Sequence, residues 1–124
     1  MVQPVYLFDL AFQRAHWLSA RQTTIAENVV NANTPGYRAR EVEPFEAALD
    51  RTDLATRATD PGHISFALAP TRPSTFESRA SSPVGNGVSL EKELIKAGEV
   101  SREYSLNMSV VKSFHRMWMS SVKG

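Results

Sequence analysis

The sequence predicts an all-α fold in which two long amphipathic helices, one near each end, pair as an antiparallel coiled coil around a largely irregular middle segment. Three observations predict it. Apolar residues recur at helical spacing near the N-terminus, and they recur every seven residues near the C-terminus. Between Thr56 and Gly87 the chain concentrates proline and glycine, which interrupt regular elements. The 124 residues suit one small domain.

The N-terminal helix is predicted from about Tyr6 to Asn31. Apolar side chains there return every three or four residues, which is the period of an α-helix buried on one side. Pro4 suits the first turn or the position before it, because the amide hydrogen that proline lacks has no helical partner there. The residues predicted to pack against the second helix are Phe8, Phe12, Leu18, Ile25 and Val29.

The C-terminal helix is predicted over residues 88 to 122. Its heptad repeat is typical of a coiled coil, and Ser89 is suited to cap its first turn. Glu91 and Glu93 follow in that turn, where we expect solvated carboxylates that complement the helix dipole. The predicted packing residues are Leu90, Leu94, Tyr104, Met108, Val111, Phe114 and Trp118.

The chain therefore divides into three predicted regions. Residues 1–40 hold the first helix and a turn, residues 41–87 form an irregular insert, and residues 88–124 hold the second helix. Within the insert, Glu43 to Leu49 has the pattern of a short helix, and "HISFALA" (63–69) has that of one short strand. A long segment without regular structure is usually functional or disordered.

Two helices alone cannot enclose the apolar surface that this sequence supplies. A hairpin of this size is marginally stable by itself, and contiguous exposed apolar area marks an interaction surface. The sequence therefore predicts that a partner chain covers part of both helices.

The sequence offers little for catalysis or for a bound cofactor. His16, His63 and His115 are dispersed, without metal-ligand spacing, and the chain has no cysteine. A net charge of +1 does not favour nucleic acid. We predict no cofactor, no metal, no catalytic residue, no nucleic acid and no small-molecule substrate. The N-terminus lacks the pattern of a cleaved signal peptide, so export would use a route that reads none.

The stretch "NVVNANTPGYRAR" (28–40) ends the first helix with an unusual set of polar residues. Pro35 cannot continue the helix, and Pro35-Gly36 is a turn pair in which glycine supplies a positive φ. Asparagines satisfy the backbone groups at a helix end, but one cap does not need three of them. The sequence therefore predicts a rigid turn that forms a subunit interface, made by Asn28, Asn31, Asn33, Thr34, Pro35, Gly36, Tyr37, Arg38 and Arg40.

These residues resemble the signature of the bacterial flagellar rod and hook proteins. "AENVVNANTPGYRAR" (26–40) matches the helix that runs into an Asn-Thr-Pro-Gly-Tyr turn in that family. "GNGVSLEKELIKAGEVSREYSLNMSVVKSFHRMW" (85–118) is similar to the C-terminal segment of its proximal rod subunits. Short length, Arg38 and Arg40, and the lack of a large middle domain agree with a proximal subunit.

The resemblance implies a structural protein of the flagellar basal body, in the periplasmic rod. Its implied partners are other copies of itself, adjacent rod proteins, the adaptor between rod and MS ring, the MS ring and the export gate. It also implies type III export of the unfolded chain and pairing of the terminal helices into a tube.

Three other interpretations remain open from the residues. The chain could be another subunit of the rod family. It could be a helical nucleic-acid-binding module that uses Arg38, Arg40, Arg72 and Arg79 on phosphates. A small enzyme built on His63 and Asp60 would be the third, although the sequence supplies no nucleophile for it.

Overall fold

The computed structural model describes residues 4–57, 73–77 and 88–123, and within these it has three helices and two short strands. Both long helices are confirmed. The elements in chain order are α1 (Pro4–Val30), β1 (Arg40–Val42), α2 (Phe45–Arg57), β2 (Thr75–Glu77) and α3 (Leu90–Lys123). Pro4 is the first residue of α1, where its missing amide hydrogen costs least.

The two long helices pack antiparallel along most of α1. As the contacts advance along α1 toward its C-terminus, their partners on α3 move back toward its N-terminus, so the two helices are antiparallel. At the N-terminal end of α1, the rings of Phe8 and Phe114 meet edge to face at 5.7 Å between centroids. Further along come the pairs Ala11–Asn107, Arg14–Glu103, Arg21–Glu99 and Asn28–Glu93.

A small core lies between the helices at the level of the β-strands. Leu18 is completely buried, and Ile25 and Val100 pack with it. Burying one such side chain contributes about 1.5–3 kcal/mol, so a few of them hold the pair together. Trp17 and Val42 complete the cluster, with Phe45, Ala48 and Ala97 packed on its edge.

The described part of the middle segment, residues 41–57 and 73–77, contains one helix and two short strands. β1 and β2 pair antiparallel, with Glu41 opposite Phe76. Each strand has three residues, too few for an alternating pattern to be detected. The predicted short helix is present but begins at Phe45, directly after Pro44, and continues to Arg57 because residues 50 to 57 contain no proline or glycine. The predicted strand at 63–69 lies outside the described residues.

The side of α3 that faces α1 includes polar as well as apolar residues. Glu93 and Asn107 hydrogen-bond to α1, and Val100 and Phe114 pack against it. Polar groups occupy the contact because α1 supplies their partners. Phe8, Val111 and Phe114 are half-buried and Leu18 and Ile25 are buried, but the single chain leaves exposed Phe12, Val29, Leu90, Leu94, Tyr104, Met108 and Trp118.

None of the helices in the described part of the chain combines the length and the hydropathy that crossing a lipid bilayer requires.

Candidate assembly site

The turn after α1 has the geometry that its sequence predicts. The amide of Tyr37 donates to the carbonyl of Thr34 at 3.2 Å, and Gly36 has a φ of 78°. A glycine with positive φ two residues after the start of a four-residue turn, with proline before it, defines a type II turn. Asn31 supports it, because its side-chain amide donates to the carbonyl of Glu27 at 2.9 Å and its oxygen accepts from the Thr34 hydroxyl.

Asn28 is the polar centre of the site, and its residue is completely buried. Its Nδ2 donates to the carbonyl of Arg40 at 2.8 Å and to Oε2 of Glu93 at 3.1 Å. Its Oδ1 accepts from the amide of Arg40 at 2.9 Å and from the hydroxyl of Tyr37 at 3.1 Å. All four hydrogen-bonding positions of the side-chain amide are therefore used. Asn28 fastens the end of α1, the start of β1 and the first turn of α3 together.

Glu93 was expected to be solvated, and the structure contradicts this. The residue is 2% exposed and bonds to Asn28 and, through Oε1, to the ammonium of Lys96. Lys96 also pairs with Glu41. A buried carboxylate needs both a counter-charge and hydrogen bonds, and these three residues supply them. Spacing of acids at a helix start does not reveal this, because the partners are distant in sequence.

The environment of this network shifts two pKa values upward. Burial raises the pKa of the Tyr37 hydroxyl above its ordinary value, and the nearby Glu27 carboxylate raises it further. Burial alone would lower the pKa of Lys96, but its hydrogen bonds to Glu41 and Glu93 outweigh that and raise it. Both groups therefore hold their protons more tightly in the folded chain.

The arginines after the turn bond to β2. Arg40 donates from Nη2 to the Thr75 hydroxyl at 2.9 Å, and Arg38 lies 3.9 Å from the Glu77 carboxylate. Arg40 is half-buried, so its guanidinium holds the strand pair and is not displayed for phosphate. Four other residues named for nucleic-acid binding or catalysis lie outside the described part of the chain: Asp60, His63, Arg72 and Arg79.

The predicted turn residues therefore separate into two groups. Asn28 is buried, Asn31, Tyr37 and Arg40 are half-buried, and all four have partners within the chain. Exposed are Asn33, Thr34, Pro35, Gly36 and Arg38, of which Thr34 and Arg38 also contact residues of the same chain.

Trp17 is a structural residue that the sequence prediction missed. Its indole Nε1 donates to the carbonyl of Glu43 at 2.8 Å, and its ring meets Phe45 edge to face. The guanidinium of Arg14 lies 4.7 Å from the ring centroid. Trp17 precedes Leu18 on α1 and so lies beside the side of α1 that packs on α3. There it contacts Glu43 and Phe45 of the middle segment. The sequence signal that could have identified Trp17 is a large aromatic residue directly beside the apolar side of an amphipathic helix.

Among the described residues, α3 leaves many large apolar side chains exposed. Among its 34 residues only Glu93 and Val100 are buried. Large apolar side chains are exposed from one end to the other: Leu90, Leu94, Ile95, Tyr104, Leu106, Met108, Val110, Met117, Trp118, Met119 and Val122. Large exposed apolar surface is typical of an interaction site.

Among the described residues, no three histidine, aspartate or glutamate side chains converge into a group that could hold a metal ion.

Comparison with known proteins finds two similar proteins of the same name. The chain is 40% identical over 129 residues to the flagellar basal body rod protein FlgB of Agrobacterium fabrum (strain C58), and the match covers 98% of this chain and 96% of that protein. It is also 42% identical over 52 residues to the protein of the same name in Borrelia hermsii, across 42% of this chain and 38% of that one. No protein-family model matches the chain.

The described residues define a mostly helical protein whose two long helices pack against each other. The similarity over nearly its whole length places the chain in the FlgB family of flagellar basal body rod proteins, and its class is that of a structural rod subunit.

Proposed function

We propose that this chain is a proximal rod subunit that assembles with copies of itself through its paired terminal helices. In this position it joins the MS ring and export gate, through the rod adaptor, to the adjacent rod proteins. The chain reaches the periplasm through the flagellar type III apparatus without a cleaved signal peptide.

The observation that carries the proposal is the exposure of α3. Leu94 is 67% exposed and Met117 is 67% exposed, although both belong to a helix that packs on α1. A monomer gains nothing from a 34-residue helix with two buried positions, whereas a tube of packed helices buries all of its sides.

The small core supports a second part of the proposal, that folding is completed on assembly. Leu18, Ile25 and Val100 bury little area for two helices of this length. A chain that gains most of its burial from neighbours stays unfolded, and therefore exportable, until it meets them.

The turn gives the subunit a rigid end. Asn28 and Glu93 lock it internally, and the exposed atoms of Asn33 and Thr34 are then fixed in position for a neighbour. Fixed donors and acceptors lose less entropy on binding than mobile ones do.

The experiment that tests the function is complementation. In the source bacterium without its own copy of the gene, the intact chain should restore swimming and complete basal bodies in electron micrographs. A variant with Leu94→Asp and Met117→Asp should be made in equal amounts and should fail. The matched control is Glu46→Asp with Asp50→Glu, at exposed positions of α2. Failure of the unaltered chain to restore swimming would contradict the proposed function.

A further inference from the structure

The exposed charges of α1 and those of the C-terminal part of α3 have opposite signs, whereas the first turn of α3 exposes both Glu91 and Lys92. α1 has four charged side chains, and two of them, Arg14 and Arg21, are drawn into ion pairs with α3. The two that stay exposed, Asp9 and Glu27, are both acidic.

Asp9 and Glu27 lie on the same side of α1. They are eighteen residues apart, which is about five turns and about 27 Å along the helix. Phe12 lies on the same side and is 64% exposed. We call this surface, made by Asp9, Phe12 and Glu27, the acidic row.

The exposed charges in the C-terminal part of α3 are basic. Arg102, Arg116 and Lys123 are separated by multiples of seven residues, so they share one side of the helix, and Lys112 lies one turn before Arg116. The first and last are about 31 Å apart along the helix. Exposed Met108 and Met119 lie next to these charges. We call Arg102, Lys112, Arg116 and Lys123, with the two methionines, the basic row.

The two rows are complementary in charge, in length and in their exposed apolar side chains. They cannot meet within one chain, because α1 and α3 contact each other through different sides, at Leu18 and Val100. We propose that the acidic row of α1 binds the basic row of α3 on a second copy of the chain.

Such a contact joins two different surfaces, and every copy carries both. Each copy therefore binds one neighbour through α1 and another through α3, which produces a ring or an open helical array. Like charges disfavour contacts of α1 with α1 and of α3 with α3 on neighbouring copies. The contact therefore also sets the direction in which successive copies are added. This inference rests on the proposed function and specifies its interface.

The test uses two charge-reversed variants of the full chain. One carries Asp9→Lys with Glu27→Lys, and the other carries Arg102→Glu with Arg116→Glu. Self-association is measured by sedimentation velocity over a range of concentrations, and the control is Glu46→Lys with Asp50→Lys on exposed positions of α2.

Each reversed variant should associate at least tenfold more weakly than the unaltered chain, and the control should not change. An equal mixture of the two variants should recover association, because each then offers the row that the other lacks. The chain with all four changes should recover as well, which a merely misfolded variant would not.

Two results would overturn the interface. One is reversed variants that associate like the unaltered chain, and the other is weakened variants that neither mixing nor combination rescues. An unaltered chain that stays monomeric at every concentration also overturns it. Reversed variants that associate normally and restore swimming would reject this interface and leave the rod function intact.

Discussion

Asn28 and Glu93 are 65 residues apart in the chain, and their side chains meet in a buried hydrogen bond of 3.1 Å. This bond joins the turn after α1 to the first turn of α3. It makes Asn28 a residue of the subunit interior, although its sequence context predicts a surface contact.

Replacement of Asn28 by alanine should lower the free energy of unfolding by about 2–4 kcal/mol. The change removes the Asn28 partner from the backbone groups of Arg40, from the Tyr37 hydroxyl and from Oε2 of Glu93, and each buried polar group that loses its partner is costly. Urea unfolding followed by circular dichroism, at a concentration where helicity is maximal, measures it. The control is Asn33→Ala, an exposed asparagine of the same turn, which should stay within about 0.5 kcal/mol. Equal losses for both variants would show that Asn28 is not the centre of the network.

The same substitution should have opposite effects at two glycines. Gly36→Ala forces a side chain into a φ of 78° and should destabilise the chain by about 1–2 kcal/mol, although nothing lies within 4 Å of the new methyl group. Gly98→Ala, inside α3 and equally unobstructed, should stabilise it by up to about 1 kcal/mol through helix propensity. Thermal unfolding of the two variants side by side is the measurement. A stabilising Gly36→Ala would contradict the turn geometry.

Two valines of α3 differ in burial, because one lies in the core and the other on the outer surface. Val100 is 2% exposed and Val110 is 46% exposed. Val100→Ala should cost about 2 kcal/mol, because it removes two methyl groups from the packed cluster. Val110→Ala should cost less than about 0.5 kcal/mol in the same urea titration. The reverse order would mean that α3 presents a different side to α1.

The sequence predicts best those elements whose periodic patterns are long. α1 and α3 are long, so their periodicity predicts them, and the type II turn follows from Pro35 and Gly36. The heptad repeat of α3 also predicts that this helix packs against another helix, but it does not identify the side of α3 that faces α1.

The parts that sequence reasoning missed depend on distant partners. Glu93 is buried because Asn28 and Lys96 happen to surround it, and Arg14 stacks on Trp17 while it pairs with Glu103. A buried charge has the same local sequence signature as a solvated one, so only the tertiary structure distinguishes them. The two strands escaped prediction since three residues carry no period.

Alkaline pH should weaken the fold. The pKa values of Tyr37 and Lys96 are both raised in the folded chain above their ordinary values of 10.0 and 10.5. A raised pKa means that the folded state holds the proton more tightly, so the stabilisation is complete below those values and is lost as pH rises through the folded ones. Urea midpoints recorded from pH 8 to pH 11.5 measure this, and tyrosinate absorbance follows Tyr37.

The matched variant for the pH experiment is Tyr37→Phe, which should lose the tyrosine titration whose pKa is raised above the ordinary value of 10.0. If Tyr37 instead titrated at or below its ordinary pKa, its hydroxyl would not be buried against Asn28.

The most direct test of the whole account is the helicity of the purified full chain as a function of concentration, measured by circular dichroism at 222 nm. On the proposed function, α1 and α3 complete their burial on neighbouring subunits. We therefore expect low helicity at low micromolar concentration, with a rise as concentration increases or as a rod partner is added. High helicity that does not change with concentration, with one cooperative melting transition, would show a self-sufficient domain and would contradict folding on assembly.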